Sequence, residues 1–349
     1  MGAIKIMKKL KNNQEGYAAD YLVIGTGNIA LRHIDNIINM SNKKSIFVCK
    51  RFGIKLNRML NEKDIHIVDN LKNIYPKSKK SIAVICSAAS NHVADAVVLA
   101  RKGFNIFLEK PLTTHDIKIN KLIKICNDNK LKTLVGYNMR FTNRIKSIFN
   151  IIKNRKYGAI KEIDICVETD FRKWRKGLNY KDSVSFNKDL GGGVINELSH
   201  EIDYLYWILG DVKEVFSITG KFSNLKVTSD DMSAIILRFK NNVIGELHLD
   251  YFQRPNFKSC KIRGDKGVIH WNSDNNEVKI HLTNKKRWKT VLKIGKYERN
   301  QMYVDEIDHF LKCVKTRKSS INDIKEGIRT LEISLGIKKS SKLKKMIGV

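Results

Sequence analysis

Short apolar runs and longer amphipathic stretches take turns along the first 138 residues. YLVI (21–24) leads into a turn at Gly25 and Gly27 and then into apolar positions at Ile29, Ile34, Ile37 and Ile38, the spacing of a helix. Apolar β-type runs return at 45–50 (SIFVCK), 81–86 (SIAVIC), 104–108 (FNIFL) and 131–137 (LKTLVGY), and helical patterns occupy 91–102 and 114–129. Strands alternating with helices at these intervals predict βαβ crossovers and a doubly wound parallel sheet. Beyond residue 138 the rhythm changes to β-rich runs at 162–169, 212–219, 232–239, 243–249, 258–263 and 277–282. Several are separated by turn signals such as Asn241-Asn242 and the GDKG of 264–267. The change predicts two domains, 1–138 and 139–349, which a length of 349 residues also favours.

Composition narrows the class. With 42% hydrophobic and 29% charged residues, and no apolar run near the roughly 20 residues that span a bilayer, the chain reads as globular with no membrane partner. Its start, MGAIKIMKKLKNNQEG, has neither the apolar core of a secretion signal nor the Ser/Thr of a myristoylation site, so a cytoplasmic location is expected. Cys49, Cys86, Cys126, Cys166, Cys260 and Cys313 stand apart with no CxxC, which predicts reduced thiols. A net charge of +31 raises nucleic-acid binding, but the excess is shared by both halves and the basic cluster at 338–345 (KKSSKLKK) is short. No helix-turn-helix or RNA-binding signature accompanies it, so specific nucleic-acid binding is not expected. The field would still draw anionic ligands, including phosphorylated or nucleotide-linked substrates.

The first turn reads G-x-G-x-x-A. Gly25 permits the tight turn, Gly27 leaves room for a pyrophosphate, Ala30 lets helix and strand pack closely, and the helix start at Asn28-Ile29 offers free N–H groups. The second strand ends in Cys49-Lys50-Arg51, with no carboxylate for the 2′-hydroxyl of NAD. Cations there tolerate a 2′-phosphate, which favours NADP over NAD; solvated basic residues are the other reading.

Glu109-Lys110-Pro111 follows the strand at 104–108, on the sheet edge where ligands bind. With GTGNIALRH (25–33), Asn91-His92, GYNMRF (136–141), GGGVINELSHEIDYL (191–205) and MYVDEIDHF (302–310), in order across nearly the whole chain, it resembles the Gfo/Idh/MocA family of dinucleotide-dependent sugar oxidoreductases. The resemblance implies an α/β protein: an N-terminal Rossmann domain, then an α/β domain on a large, mostly antiparallel open sheet. The exposed face of that sheet often forms a subunit interface, hence an expected homo-oligomer, dimer or tetramer. The resemblance also implies cofactor contacts from Gly25, Gly27, Asn28, Ile29, Arg51, Ser87, Asn91, His92, Glu109, Lys110 and Asn138, with Tyr137 and Arg140 near the nicotinamide end. Two departures bear on the cofactor pocket. Ser87-Ala88-Ala89 stands where the family often has Thr-Pro, and Thr142-Asn143 where a proline commonly follows Arg-Phe.

The glycines at 191–193 allow close backbone approach, and a helix after them places Asn196 and His200 on one face, with Asp203 three residues further on. A lone histidine on a helix is ordinarily structural; the Glu-Lys-Pro resemblance turns the reading toward catalysis. His200 is the expected base for a sugar hydroxyl as hydride passes to the nicotinamide C4, and the acid in reverse. Lys110 would relay that proton or stabilise the alkoxide, the two groups converging on one oxygen. Several family branches carry Asp or Asn four residues before this histidine. The branch common near genes for bacterial surface sugars has an acid three before it, where Glu197 stands, and this chain resembles that branch closely, so both Asn196 and Glu197 are candidates. HEID is not HExxH, and no metal is expected.

FRKWRKGLNY (171–180) is the candidate substrate segment: Arg172 and Arg175 to grip a phosphate or carboxylate, Trp174 and Tyr180 to stack on a sugar or base. An exposed basic loop with two anchoring aromatics is the other reading. The expected function is an NAD(P)-dependent sugar dehydrogenase or reductase in surface-polysaccharide sugar biosynthesis. The substrate would be bound by Lys110, Arg172, Trp174, Arg175, Tyr180, Asn196 and His200. The alternatives are an NAD-dependent glycosidase working by transient oxidation and a non-catalytic sensor of sugar or cofactor.

Overall fold

The run Tyr21–Ile24 is buried at all four positions, as an inner strand of a sheet covered on both faces requires. The computed structural model describes residues 16–40, 45–50, 65–114, 118–155, 158–173, 184–295 and 299–349. They fall into two units, one of residues up to 136 with 303–326, the other of 137–302 with 327–349. The first holds β1 (Tyr17–Ala19), β2 (Tyr21–Ile24), α1 (Asn28–Met40), β3 (Ile46–Cys49), β4 (Ile65–Val68), β5 (Ile74–Pro76), β6 (Ile82–Ile85), α2 (His92–Arg101), β7 (Asn105–Leu108), α3 (Ile119–Asp128) and β8 (Thr133–Val135). Its six-stranded sheet has the order β4-β3-β2-β6-β7-β8, every pairing parallel. That is the doubly wound Rossmann order, with the switch point between β2 and β6. The pattern did not show β4, half-buried throughout, or β5, which pairs with β1 in a separate two-stranded sheet.

At the end of β7, His33 Nε2 from α1 donates to Glu109 Oε1 at 2.6 Å, and Glu109 Oε2 accepts the Lys110 N–H at 3.1 Å. Burial raises the Glu109 carboxyl, but the hydrogen bond and charge of His33, with the N–H and ammonium of Lys110, outweigh it and hold the group below the ordinary carboxylate value.

The sequence boundary at 138/139 put residues 303–326 in the second domain; in the structure they belong to the first unit. On α7 (Gln301–Thr316), Ile307, Phe310 and Val314 share a core with Val23, Ile34, Phe107 and Leu134. The Phe107 and Phe310 rings meet edge to face at 5.9 Å. Asn322 then serves the outer edge of β8 as a strand would: its backbone oxygen accepts from Val135 N at 2.8 Å, and its Nδ2 donates to Val135 O at 2.7 Å. An apolar stripe predicts a buried helix but does not say which sheet it will cover.

The second unit contains α4 (Asn143–Lys153), β9 (Ile160–Glu168), α5 (Val194–Glu197), α6 (Ser199–Leu209), β10 (Val212–Gly220), β11 (Met232–Phe239), β12 (Ile244–Asp250), β13 (Phe257–Gly264), β14 (Gly267–Asn272), β15 (Glu277–Leu282), β16 (Lys289–Lys293), most of α8 (Ile324–Leu343) and β17 (Ile347–Gly348). The nine strands run β16-β15-β14-β13-β9-β12-β11-β10-β17, antiparallel except where β9 meets β12. Alternate residues such as Ile163, Ile165, Leu237, Leu247 and Ile262 face a core closed by Ile145 and Ile148 of α4, Ile202 and Leu205 of α6, and Ile333 and Ile337 of α8. The other face leaves Ile218 and Ile236 exposed. Among the described residues no helix is long and apolar enough to cross a membrane.

Two outcomes test this architecture. Phe310→Ala should lower unfolding stability by about 3–5 kcal/mol, whereas Lys312→Ala, on the solvent side of the same helix, should change it by no more than about 0.5 kcal/mol; urea denaturation compares them. The fold holds Glu109 ionised below the ordinary carboxylate range, so its contribution is complete above that range and disappears as pH falls through the depressed value. Acid titration of Glu109→Gln should therefore show a flatter acid limb than the parent chain.

Candidate active site

Gly25 lies at φ +109, and a Cβ there would come within 2.7 Å of the Cys86 backbone oxygen, so no side chain fits between β2 and β6. A Cβ on Gly27 would meet nothing within 4 Å: its bareness relieves no clash inside the protein and leaves space ahead of α1. Ala30 is fully buried against the sheet, and Thr26 Oγ1 is buried without a hydrogen-bond partner. An open cradle, an orphaned hydroxyl and the free N–H groups at the start of a 13-residue helix fit the pyrophosphate of a dinucleotide. Asn28 is exposed and Ile29 half-buried at that helix start. Lys50, at the tip of β3, is described, whereas Arg51 lies outside the described residues.

The loop after β6 is tied to the loop after β7. His92 is 1% exposed, and its Nδ1 and Nε2 each lie 2.9 Å from a carbonyl oxygen, of Pro111 and Ser87 respectively. Burial, the largest influence, lowers the imidazole below its ordinary value against those bonds and the charges of Glu109 and Asp95. Ser87 Oγ donates to Asp95 Oδ2 at 2.8 Å. Of the expected cofactor contacts, His92 and Glu109 have polar atoms engaged within the protein, while Asn91 is exposed and Lys110 half-buried.

In the second unit the expected single helix is broken. Leu198, at φ −97 and ψ +23, separates α5 from α6, so Asn196 and His200 belong to different helices. Asn196 is buried, its Nδ2 donates to Gly191 O at 2.8 Å, and its Oδ1 accepts from Lys338 Nζ at 2.7 Å; both ends are committed to the fold. Glu197 is half-buried. Asp203 is gripped by Arg140 from Nε and Nη2, both at 2.8 Å, and Thr330 Oγ1 adds a bond at 3.1 Å. Arg140 and Asp203 have no exposed side-chain surface, so the pair fixes α6 to the 138–141 segment. His200, one residue into α6, is half-buried with the Tyr137 ring edge-on to its own at 5.9 Å. Burial and the Asp203 charge push the Tyr137 phenol far above its ordinary value, so it stays neutral and holds a hydrogen bond with Ser199.

Asn138 is buried with its Oδ1 lacking a partner, an acceptor suited to an amide N–H. Tyr251, which the pattern did not single out, has a buried hydroxyl without a partner, and the charges of Glu197 and Asp230 reinforce burial in raising its phenol. Arg172 is bidentate to Asp170, at 2.7 and 3.1 Å, so its guanidinium is at least partly engaged by its own chain. Trp174, Arg175 and Tyr180 lie outside the described residues. On β9 and β12, Glu168, His248 and Asp250 bring potential metal ligands within 4.8 Å of one another. There the Asp250 hydrogen bond and the two carboxylate charges raise the His248 imidazole above its ordinary value, against the effect of burial.

Residues 19–137 match the oxidoreductase family with NAD-binding Rossmann fold, and residues 145–270 match the GFO/IDH/MocA C-terminal domain. Myo-inositol 2-dehydrogenase of Thermotoga maritima is 23% identical over 350 residues, 93% of this chain and 99% of that protein. A 2,7-anhydro-N-acetylneuraminate hydratase of Escherichia coli is 26% identical over 203 residues, 55% of this chain and 52% of its own length. Among solved structures, levoglucosan dehydrogenase in complex with NADH superposes with a TM-score of 0.80 at 17% identity, covering 94% of this chain and 98% of that one. The WlbA dehydrogenase from Bordetella pertussis, in complex with NADH and UDP-GlcNAcA, gives 0.76 at 18% identity, covering 95% and 99%. At such identities the structural likeness is one of fold, but the family matches extend in order over both halves of the chain, which belongs to the Gfo/Idh/MocA family of oxidoreductases.

Proposed function

We propose that the protein is an NAD(P)-dependent dehydrogenase or reductase of a sugar or polyol, with His200 moving the hydroxyl proton. The observation that carries this reading is a titratable ring held from two sides: Tyr137 meets its edge, and the buried Arg140–Asp203 pair fixes the helix that bears it. General acid–base catalysis requires such fixed orientation. The bound dinucleotide supplies the redox chemistry. The turn at Gly25 and Gly27, with the start of α1, would hold its pyrophosphate, and the unpartnered Oδ1 of Asn138 would be available to accept from an amide N–H. His200 takes the proton in oxidation and returns it in reduction, and the Lys110 ammonium stabilises negative charge on the reacting oxygen. Cys49-Lys50, without a carboxylate, supports use of NADP beside NAD.

The stretch 191–204 resembles the surface-sugar branch of the family, and the charge of +31 favours an anionic, nucleotide-linked substrate. A second copy covers the outer face of the nine-stranded sheet, where Phe216, Ile218, Ala234 and Ile236 line an apolar hollow. The hydratase relative favours a second reading, a redox-neutral reaction in which oxidation is transient and the cofactor is regenerated in each cycle.

Incubation with myo-inositol, levoglucosan or UDP-GlcNAcA and NAD or NADP separates the two: accumulation of reduced cofactor marks the dehydrogenase, product without it the redox-neutral reaction. His200→Ala and Lys110→Met should each lower kcat about 10²–10⁴-fold with dinucleotide affinity unchanged in a fluorescence titration. Wild-type turnover in either would overturn that residue's assignment. Gly25→Ala should abolish dinucleotide binding.

A further inference from the structure

The basic cluster at 338–345 has no part in the reading above, yet its first lysine is turned into the second unit. On α8 the flanking Ile337 and Ser340 are fully buried. Lys338 Nζ donates to Asn196 Oδ1 at 2.7 Å, and Asn196 Nδ2 donates to Gly191 O at 2.8 Å. An ammonium only donates and a carbonyl only accepts, so the carboxamide has a single orientation. Across the same turn, Asp230 accepts Val194 N–H on its backbone oxygen at 3.1 Å and Ile195 N–H on Oδ2 at 3.4 Å. Gly193, at φ +122, leaves no room for a side chain, since its Cβ would come within 2.6 Å of Asp230 Oδ1. The glycine turn is thus braced by Asp230 at one point and by the Asn196–Lys338 bond at another. His200, one residue into α6, comes four residues after Asn196, so the turn on one side and the Arg140–Asp203 pair on the other hold the segment that carries the imidazole.

We propose that Lys338 is a positioning residue of the reaction: through Asn196 its ammonium sets the glycine turn, and with it the placement of His200. The inference rests on His200 being the proton-transfer residue. A hydrogen bond from a charged donor is stronger and more directional than one between neutral groups, and a displacement of the reacting group by about 1 Å costs on the order of 10²-fold in rate. Burial disfavours the ammonium while the Asp230 charge favours it, so the bond to Asn196 is made where water competes poorly.

The test is a double-mutant cycle in the full chain, with Lys338→Met, Asn196→Ala and their combination, and Lys338→Arg as the conservative variant. Steady-state kinetics use whichever of myo-inositol, levoglucosan and UDP-GlcNAcA turns over fastest, and thermal unfolding is followed in parallel. Lys338→Met should lower kcat about tenfold to a hundredfold with little change in KM. The double variant should be no slower than Asn196→Ala alone, and Lys338→Arg should recover most of the rate. Additive losses, or a wild-type kcat in Lys338→Met, would overturn the proposal. His200→Ala run alongside keeps the two readings apart: if it retains turnover, the His200 assignment falls, and the Asn196–Lys338 coupling is read from the unfolding cycle, where additive losses sink it.

Discussion

Arg140 and Asp203 face each other without any exposed side-chain surface, and the arrangement of the second unit depends on that pair. Removing two ions from water costs several kcal/mol each, and the loss is offset only when every polar atom finds a well-aligned partner. Here the guanidinium makes two parallel bonds and Thr330 supplies a third to the carboxylate. The bonds bind α6, the 138–141 segment and α8 to one another. A hydrophobic contact in their place would tolerate rotation of α6; a bidentate ion pair does not. Asp203, three residues after His200, thereby holds the first turn of the helix that carries the imidazole.

The same economy appears in the other carboxylates. In a chain with 66 basic and 35 acidic residues, acids are the scarce charge, and several of them are interior: Asp203, Asp231 and Glu306 are fully buried and Glu109 is 7% exposed. Each has hydrogen-bond donors that tie separate segments, His33 to β7 through Glu109 and the start of the 222–223 turn through Asp231. These internal anions fix tertiary geometry.

What the sequence revealed follows from how uniform each environment is. YLVI, IFVC, IAVI and NIFL are buried at every position, so these runs are apolar apart from Asn105 and the parallel sheet was legible. The margin strand β16 was not: KTVLK alternates exposed Lys289, Val291 and Lys293 with half-buried residues, and the lysines guard an edge strand against further pairing. The Asn196–His200 spacing looked like one helical face because periodicity assumes unbroken geometry, and the turn at Leu198 leaves no mark in residue type. His92 and Glu109 were found by motif, yet their inward bonding came only with the coordinates. Lys338 was invisible in a run of lysines, since a single inward side chain does not alter the pattern of its neighbours.

The return of residues 303–326 to the first unit makes the Rossmann half discontinuous along the chain, with the whole sheet-bearing half spliced into it. Vectorial synthesis therefore produces six parallel strands long before Phe310 and Asn322 exist to complete their core and edge. At about 5–20 residues per second, the nascent nucleotide-binding half waits many seconds with an unfinished apolar flank, a window in which chaperone capture competes with docking.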